Sequence, residues 1–349
     1  MFRPSFLLFL TLALLTSCKK PTEPPLLVGP DTTSHDYVWT VDTVGVFQSA
    51  LADVWGSSAS DVYAVGRIAR DSGVDYNAIH FDGTNWTPFY IMFASNPGTI
   101  GPPELHGVFG FSSSDVWAVG VGGVVAHFDG SSWNTICLGI GENCSGLLPN
   151  GEMLFEVWGT SSSDLYAVGD LGAIVHYDGR NWTKMASGTV LPLQAVWGSS
   201  STNVYATGIG FGTALWTVVQ YDGTMWKDIT VDQAPLNSTT GIWGSDWNDV
   251  YVVGDFADHF DGSNWMRISV PDTLYTMHGV GGSASNNVFI VGSFGVVMHW
   301  NGVSWRSYDG LLDPYSQNRY VRVWTDGRTV FVVGYTSSYA LIARGTRQN

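Results

Sequence analysis

The segment VWGTSSSDLYAVGDLGAIVHYDGRNW, Val157 to Trp182, recurs with variation along the chain. Each copy opens on Trp-Gly or an equivalent, crosses a Ser/Asp turn and a short apolar run, and closes on Asp-Gly-x-x-Trp. The anchor position is held by Trp55, Phe109, Trp158, Trp197, Trp243, Gly281 and Trp324, seven in all, at spacings of 54, 49, 39, 46, 38 and 43 residues. A basal period near 40 is the length of four short strands with their turns, which predicts propeller blades.

Each repeat parses into four strands. The first, as in Leu193 to Gly198 (LQAVWG), ends in Ser/Asn/Asp turn residues. The second, as in Val62 to Val65 (VYAV), is apolar at successive positions, so both faces are expected to be buried between neighbouring sheets. The third, as in Ala173 to Tyr177 (AIVHY), runs into Asp-Gly, a hairpin signal in which both turn residues favour positive φ. The fourth starts at the Trp three residues after that Gly. Asp36 to Thr40 (DYVWT) matches the end of a repeat without its beginning, and the last repeat stops after a third strand at Ala340 to Arg344. The N-terminal piece therefore completes the last sheet, pairing near Leu341 to Ala343, and seals an edge that could otherwise pair with another chain. The expected fold is all-β, a seven-bladed β-propeller over residues 37–349.

These repeats resemble those of bacterial secreted β-propellers of the pattern VWGSSxxDVYAVG...HYDGxxW, and more loosely kelch propellers. The kelch double glycine is mostly absent, since Gly66, Gly120 and Gly169 precede Arg, Val and Asp. The resemblance implies the fold and leaves the activity open.

Residues 1–17 carry Arg3 and an apolar run from Phe6 to Leu15, too short to span a bilayer comfortably, and read as a signal peptide. Leu15-Thr16-Ser17-Cys18 resembles a bacterial lipobox, which implies cleavage before Cys18 and lipidation of its side chain. Residues 18–36, rich in Pro and Thr, read as a semi-extended tether. By resemblance to lipoprotein sorting signals, Lys19 in place of an Asp argues against inner-membrane retention. The expected location is the cell envelope, as an outer-membrane lipoprotein facing the periplasm or the surface, with membrane contact through the lipid alone and a monomeric domain.

Composition narrows the partners. The net charge of −15 becomes −16 once residues 1–17 are removed with Arg3, and this repels nucleic acid and anionic lipid. Only 13% of residues are charged, while 42 Gly and 16 Trp give ample surface for a folded core. Beyond Cys18, the cysteines are Cys137 and Cys144, and an extracytoplasmic address predicts a disulfide between them. No further ligands stand nearby to make the pair a metal site, and no cofactor is expected.

Residues that recur in every blade are read first as structure. Asp61, Asp115, Asp164 and Asp249, with Asn203 and Asn287, close the first turn; Asp82, Asp129, Asp178, Asp222 and Asp261, with Asn301, make the second hairpin. Turn chemistry accounts for both sets. His80, His127, His176, His259 and His299 lie on third strands, about 10 Å farther from the axis than the first strands, where blades diverge and no common metal site can form. His106 and His278, on first strands, are channel candidates. Two residues before each anchor stand Asp53, Gly107, Glu156, Ala195, Gly241, Gly279 and Arg322, a mixed set expected to border a water-filled channel. Ring closure should bring Asp53 and Arg322 together as a hydrated ion pair contributing about 1 kcal/mol or less.

What varies between repeats points to binding. First-to-second and third-to-fourth turns are short and repeated; all insertions fall in the other connections, Arg67–Asn77, Thr87–Glu104, Asn134–Met153 and Ile209–Val219. One face is thus a plain platform and the other a variable surface, richest in blades 1 and 2. Arg67, Arg70, Phe89, Tyr90 and Phe93 form the candidate binding face for a protein or polysaccharide, with Phe89 and Tyr90 equally able to extend an outer strand. A propeller sialidase would need converging arginines, an acid and a nucleophilic Tyr, whereas only Arg322 lies on a first strand. Nucleophile-elbow, zinc-helix and phosphate-loop motifs are missing from the sequence. No catalytic residue is expected; an envelope assembly scaffold and a glycan-active enzyme are the alternative readings.

Overall fold

Every repeat folds into one four-stranded antiparallel sheet, and the seven sheets close into a propeller. The computed structural model describes residues 32–94, 100–210, 215–230, 239–271, 275–308, 310–311 and 318–348; residues 1–17, Cys18 and the tether up to residue 31 lie outside this set. Blade 3 is typical, with strands Leu154–Ser161, Asp164–Gly169, Ile174–Tyr177 and Trp182–Met185 in spatial order from the axis outward. The innermost strand of each blade touches that of the next, and the innermost strand of blade 7, Arg319–Thr325, touches that of blade 1, Ala50–Ser58.

Apolar second strands explain the stacking. Val62 to Gly66 and Leu165 to Gly169 are buried on both faces, and each core cluster joins two adjacent blades. Leu51, Val62, Ile79 and Phe81 of blade 1, for example, pack against Phe331, Val333 and Ile342 of blade 7. Burying a side chain of this size stabilises by about 1.5–3 kcal/mol, so the blades are held mainly by their neighbours.

The ring shuts with the N-terminal strand, as the sequence predicts, but the seam is longer and displaced. Tyr37–Val44 pairs along its whole length with Ala340–Arg347, so Tyr37 lies opposite Arg347 and Thr40 opposite Arg344, while Leu341 to Ala343 face Val41 to Thr43. Tyr37 sets this register. Its ring is buried against Phe289 and Tyr308, 5.5 and 6.2 Å between centroids, which draws the strand start to the end of Arg347.

The Trp-Gly repeat is an interlock between blades. A Cβ on Gly198 of blade 4 would stand 2.6 Å from Cη2 of Trp158 in blade 3. The same contact joins Trp55 to Gly110, Trp197 to Gly244, Trp243 to Gly282 and, across the seam, Trp324 to Gly56. Where blade 6 carries Gly281 instead of Trp, the next blade carries Thr325 instead of Gly. Each indole therefore needs the absence of a side chain on its neighbour.

The Asp-Gly hairpins differ in detail from the expectation. Gly179 has φ +87°, but Asp178 is not in the positive-φ region; its Oδ1 instead accepts the N–H groups of Arg180 and Asn181, closing a four-residue loop. The recurring histidines also have a partner that the sequence reading missed. His80, His127, His176 and His259 each place Nε2 2.6 to 2.8 Å from the first-turn Asp of their own blade. Where blade 4 has Asn203 for that Asp, Gln220 replaces the His and donates to it at 2.8 Å. His299 meets Asn287 at 2.9 Å. The paired change of Asp to Asn with His to Gln was the available signal.

Candidate functional site

The connections sort as expected, short turns on one face and insertions on the other. The chain before Tyr37 runs along the short-turn face, where the Thr33 N–H donates to the Asn301 carbonyl and the Thr33 hydroxyl to the Asn286 carbonyl, both in turns of blade 6.

On the loop face, the five candidate residues divide between three places. Arg67 and Arg70 both lie beside Asp75, the first through a 2.8 Å ion pair and the second through its backbone N–H. Arg70 also donates to the Tyr90 hydroxyl at 2.6 Å and sits 4.8 Å over the Tyr76 ring, which stacks on Tyr90 at 4.5 Å. Tyr90 in turn donates to the Val74 carbonyl. Asn77 fixes the following insertion to this knot: its side chain donates to the Ile91 and Pro103 carbonyls and accepts from the Ile91 N–H. A cavity of 350 Å³ opens beside it, lined by Arg67, Asp75, Tyr76, Asn77, Pro103 and Glu104. Asp75, Tyr76 and Asn77 were not singled out from sequence, because their value depends on the fold of two insertions against each other.

Phe89 belongs elsewhere. It ends the outer strand Trp86–Phe89 and packs against Tyr63 and Trp133, so it serves the core between blades 1 and 2. Phe93 lies in a two-stranded ribbon and lines a separate 740 Å³ groove at the outer edge of blade 2, with Ile136, Leu138 and Trp182. That groove is bordered by Cys137 and Cys144, which form the expected disulfide.

The channel residues converge, but not as a hydrated pair. The pairing of each innermost strand jumps by one residue at a bulge, which inserts Ala52, His106, Phe155, Gln194, Thr240, His278 or Val321. The residue after each bulge is the expected polar register. Arg322 approaches Asp53 at 4.0 Å and Glu156 at 3.5 Å, joining blades 7, 1 and 3. The Asp53 side chain is only 9% exposed. Its oxygens accept the N–H groups of Val54 and, in the next blade, Val108. Arg322 donates mostly to carbonyls, those of His278, Val321 and Gln194. Crowding explains the glycines of the register: a Cβ on Gly107 would lie 2.7 Å from the Glu156 Cα.

Burial outweighs the guanidinium, so both carboxyls are pushed up, Asp53 to about 6 and Glu156 to about 8. Glu156 rises further because Asp53 is its second charged neighbour. Asp53 is thus largely desolvated, which departs from the expected hydrated pair, whereas Glu156 and Arg322 keep about a fifth of their side-chain surface exposed where they line the central cavity. His278 reaches the Ser293 hydroxyl at 2.9 Å and is pushed down to about 4 by burial, aided by Arg319 and Arg322. His106 is lowered by burial as well, packs edge-on to Phe155, and its Nε2 has no partner among the described residues.

The short-turn face is not the plain platform expected. Over Asp53, Glu156 and Arg322 opens a cavity of 260 Å³ whose wall carries Trp55, Phe109, Trp158, Trp197, Trp243 and Trp324. Among the described residues no group of three or more His, Cys, Asp or Glu side chains is placed to hold a metal ion.

No protein-family sequence model and no curated protein matches the chain. Solved structures do. YCF48 bound to D1 peptide superposes with a TM-score of 0.66 at 15% identity, covering 94% of this chain and all of that one. A catalytically inactive virginiamycin B lyase from Staphylococcus aureus with quinupristin gives 0.64 at 8% identity, covering 89% of this chain and all of the lyase. The WD40 β-propeller domain of Doa1 gives 0.61 at 11%, covering 90% and 98%. At such identities the likeness establishes the seven-bladed fold and nothing about activity.

Proposed function

We propose that the protein is a lipid-anchored binding module of the cell envelope that holds a protein or polysaccharide on the loop face of blades 1 and 2. The observation that carries this reading is the Arg67–Arg70–Tyr76–Tyr90 knot, an exposed aromatic and cationic surface ordered before any ligand arrives, beside a 350 Å³ cavity. Preorganisation of this kind lowers the entropic cost of binding. Arg and Tyr are the residue types that dominate binding energy at interfaces. A peptide held by a propeller of the same shape, YCF48, favours a protein ligand over a polysaccharide.

The test is capture from envelope extract with wild type and with Arg70→Ala/Tyr90→Ala, alongside a glycan array. Retention of a defined protein that the double variant loses supports the reading. Equal capture by both, or turnover of an arrayed glycan, overturns it in favour of a scaffold acting through another face or a glycan-active enzyme.

A further inference from the structure

We propose that the aromatic funnel on the short-turn face is a second binding site, and that it takes an organic ammonium group. Nothing in the loop-face reading requires this, because the two sites open on opposite ends of the ring.

Three observations lead to the ligand class. The wall is five indoles and one phenyl ring, held in place by the interlock with the glycines of the next blades. Aromatic faces attract cations, most strongly where water is excluded. The floor carries two carboxylates against one guanidinium. Arg322 does not saturate them, for its contacts of 4.0 and 3.5 Å exceed the ~2.7–2.9 Å of a direct charge-assisted bond, and its other N–H groups are committed to backbone carbonyls. With Glu156 protonated Arg322 balances Asp53 alone; with Glu156 ionised, one further positive charge would balance the floor. Finally, 260 Å³ lies just below the ~300–1,000 Å³ of sites for drug-sized molecules. That suits a trimethylammonium head or the end of a lysine side chain and leaves no room for an oligosaccharide. The overall charge of −15 raises the local concentration of cations, whereas an anion would meet both Asp53 and Glu156.

Proton linkage follows. The charged groups facing Glu156 are Arg322 and Asp53. Near neutrality Glu156 holds a proton, because burial and Asp53 disfavour its charge. An ammonium ion placed over the floor takes over the compensating role, so Glu156 ionises and its proton leaves to buffer.

The experiment titrates the folded propeller with choline, with its uncharged isostere 3,3-dimethylbutanol, and with Nα-acetyl-lysine methylamide, reading indole fluorescence and heat. Phosphate and cacodylate serve as buffers at about pH 7, between the ordinary carboxyl range and full ionisation of Glu156; Tris and HEPES are avoided because their protonated forms are ammonium ions themselves. We expect choline to bind at least about tenfold more tightly than the isostere, with a fraction of a proton released per ligand, seen as different heats in the two buffers. Glu156→Gln should weaken choline about tenfold and abolish the buffer difference, with its melting curve confirming the fold, while Arg70→Ala leaves both unchanged. The tighter of choline and the lysine derivative tells a free quaternary amine from a peptide side chain. Equal binding of choline and its isostere, no binding of either ammonium probe, or proton release that persists in Glu156→Gln would overturn the proposal. The wild-type comparison of choline with its isostere decides the matter even if the variant fails to fold. None of these results bears on capture by the loop face.

Discussion

Replacing Glu156 by Gln should stabilise the protein increasingly as pH rises from about 4.5 to about 8 and hardly change it below that range. In the folded ring the carboxyl titrates at about 8, against 4.5 in an ordinary setting. Between those values the folded state holds a proton that the unfolded chain has lost. Stability from this group is therefore fully present below about pH 4.5, falls as pH rises, and levels off above 8. At about 1.4 kcal/mol per tenfold, the full difference is ~5 kcal/mol. The side chain is 19% exposed and shares its guanidinium with Asp53, so about half of that, ~2–3 kcal/mol, is the expected net effect. Gln is isosteric with the protonated acid and keeps an oxygen for the Val196 N–H that Glu156 accepts.

Urea unfolding of both proteins from pH 6 to about 9 provides the assay. The upper half of that range is the informative one, because the buried histidines His278 and His299 are lowered in the fold and lose stability only as pH falls below the usual histidine range. Near pH 6 the variant should already lead by about 1 kcal/mol, and by pH 9 the lead should grow to the full amount above. Parallel curves, or a variant destabilised equally at every pH, would refute a desolvated Glu156.

Deleting residues 37–44 should lower the melting temperature far more than deleting 18–31, since the former removes an entire outer strand and the buried Tyr37; equal melting would break the ring-closure argument. Gly198→Ala should cost about 1–3 kcal/mol by overpacking, and only part of this in a Trp158→Ala background, because the 2.6 Å clash is with that indole while the 2.8 Å approach to the Asn203 carbonyl remains; additive effects in a double-mutant cycle would remove the interlock. Cys137 and Cys144 should resist alkylation until reduced, and opening their short loop should cost at most about 2–3 kcal/mol in urea unfolding. Cys18→Ala should abolish acylation by mass spectrometry and move the protein to the soluble fraction.

Much of this architecture was legible in the sequence because a propeller is built from units that repeat along the chain. The period of the anchors set the number of blades, the paired apolar residues of the second strands showed burial on both faces, and the orphan end at Asp36 to Thr40 showed how the ring closes. The disulfide followed from the number of cysteines and the extracytoplasmic address that the sequence predicts. Each of these signals lies within one repeat or compares one repeat with the next. Even the His–Asp bond could have been found this way, from the joint change at Asn203 and Gln220.

The tertiary structure decided what depends on distances across the ring. Asp53, Glu156 and Arg322 come from blades 1, 3 and 7, and whether their charges are hydrated depends on how closely opposite walls approach, which no spacing within a repeat reveals. Had they stood apart they would have been solvated and weakly coupled; brought within 4.0 and 3.5 Å of one guanidinium and partly buried, they titrate as a property of the whole ring. The indoles could likewise be recognised as blade structure from their recurrence, but their convergence on one cavity required the circle to be closed. On the loop face, Arg70 meets Tyr76 and Tyr90 while Phe89 and Phe93 depart, because irregular insertions fold against each other without a period to announce their contacts.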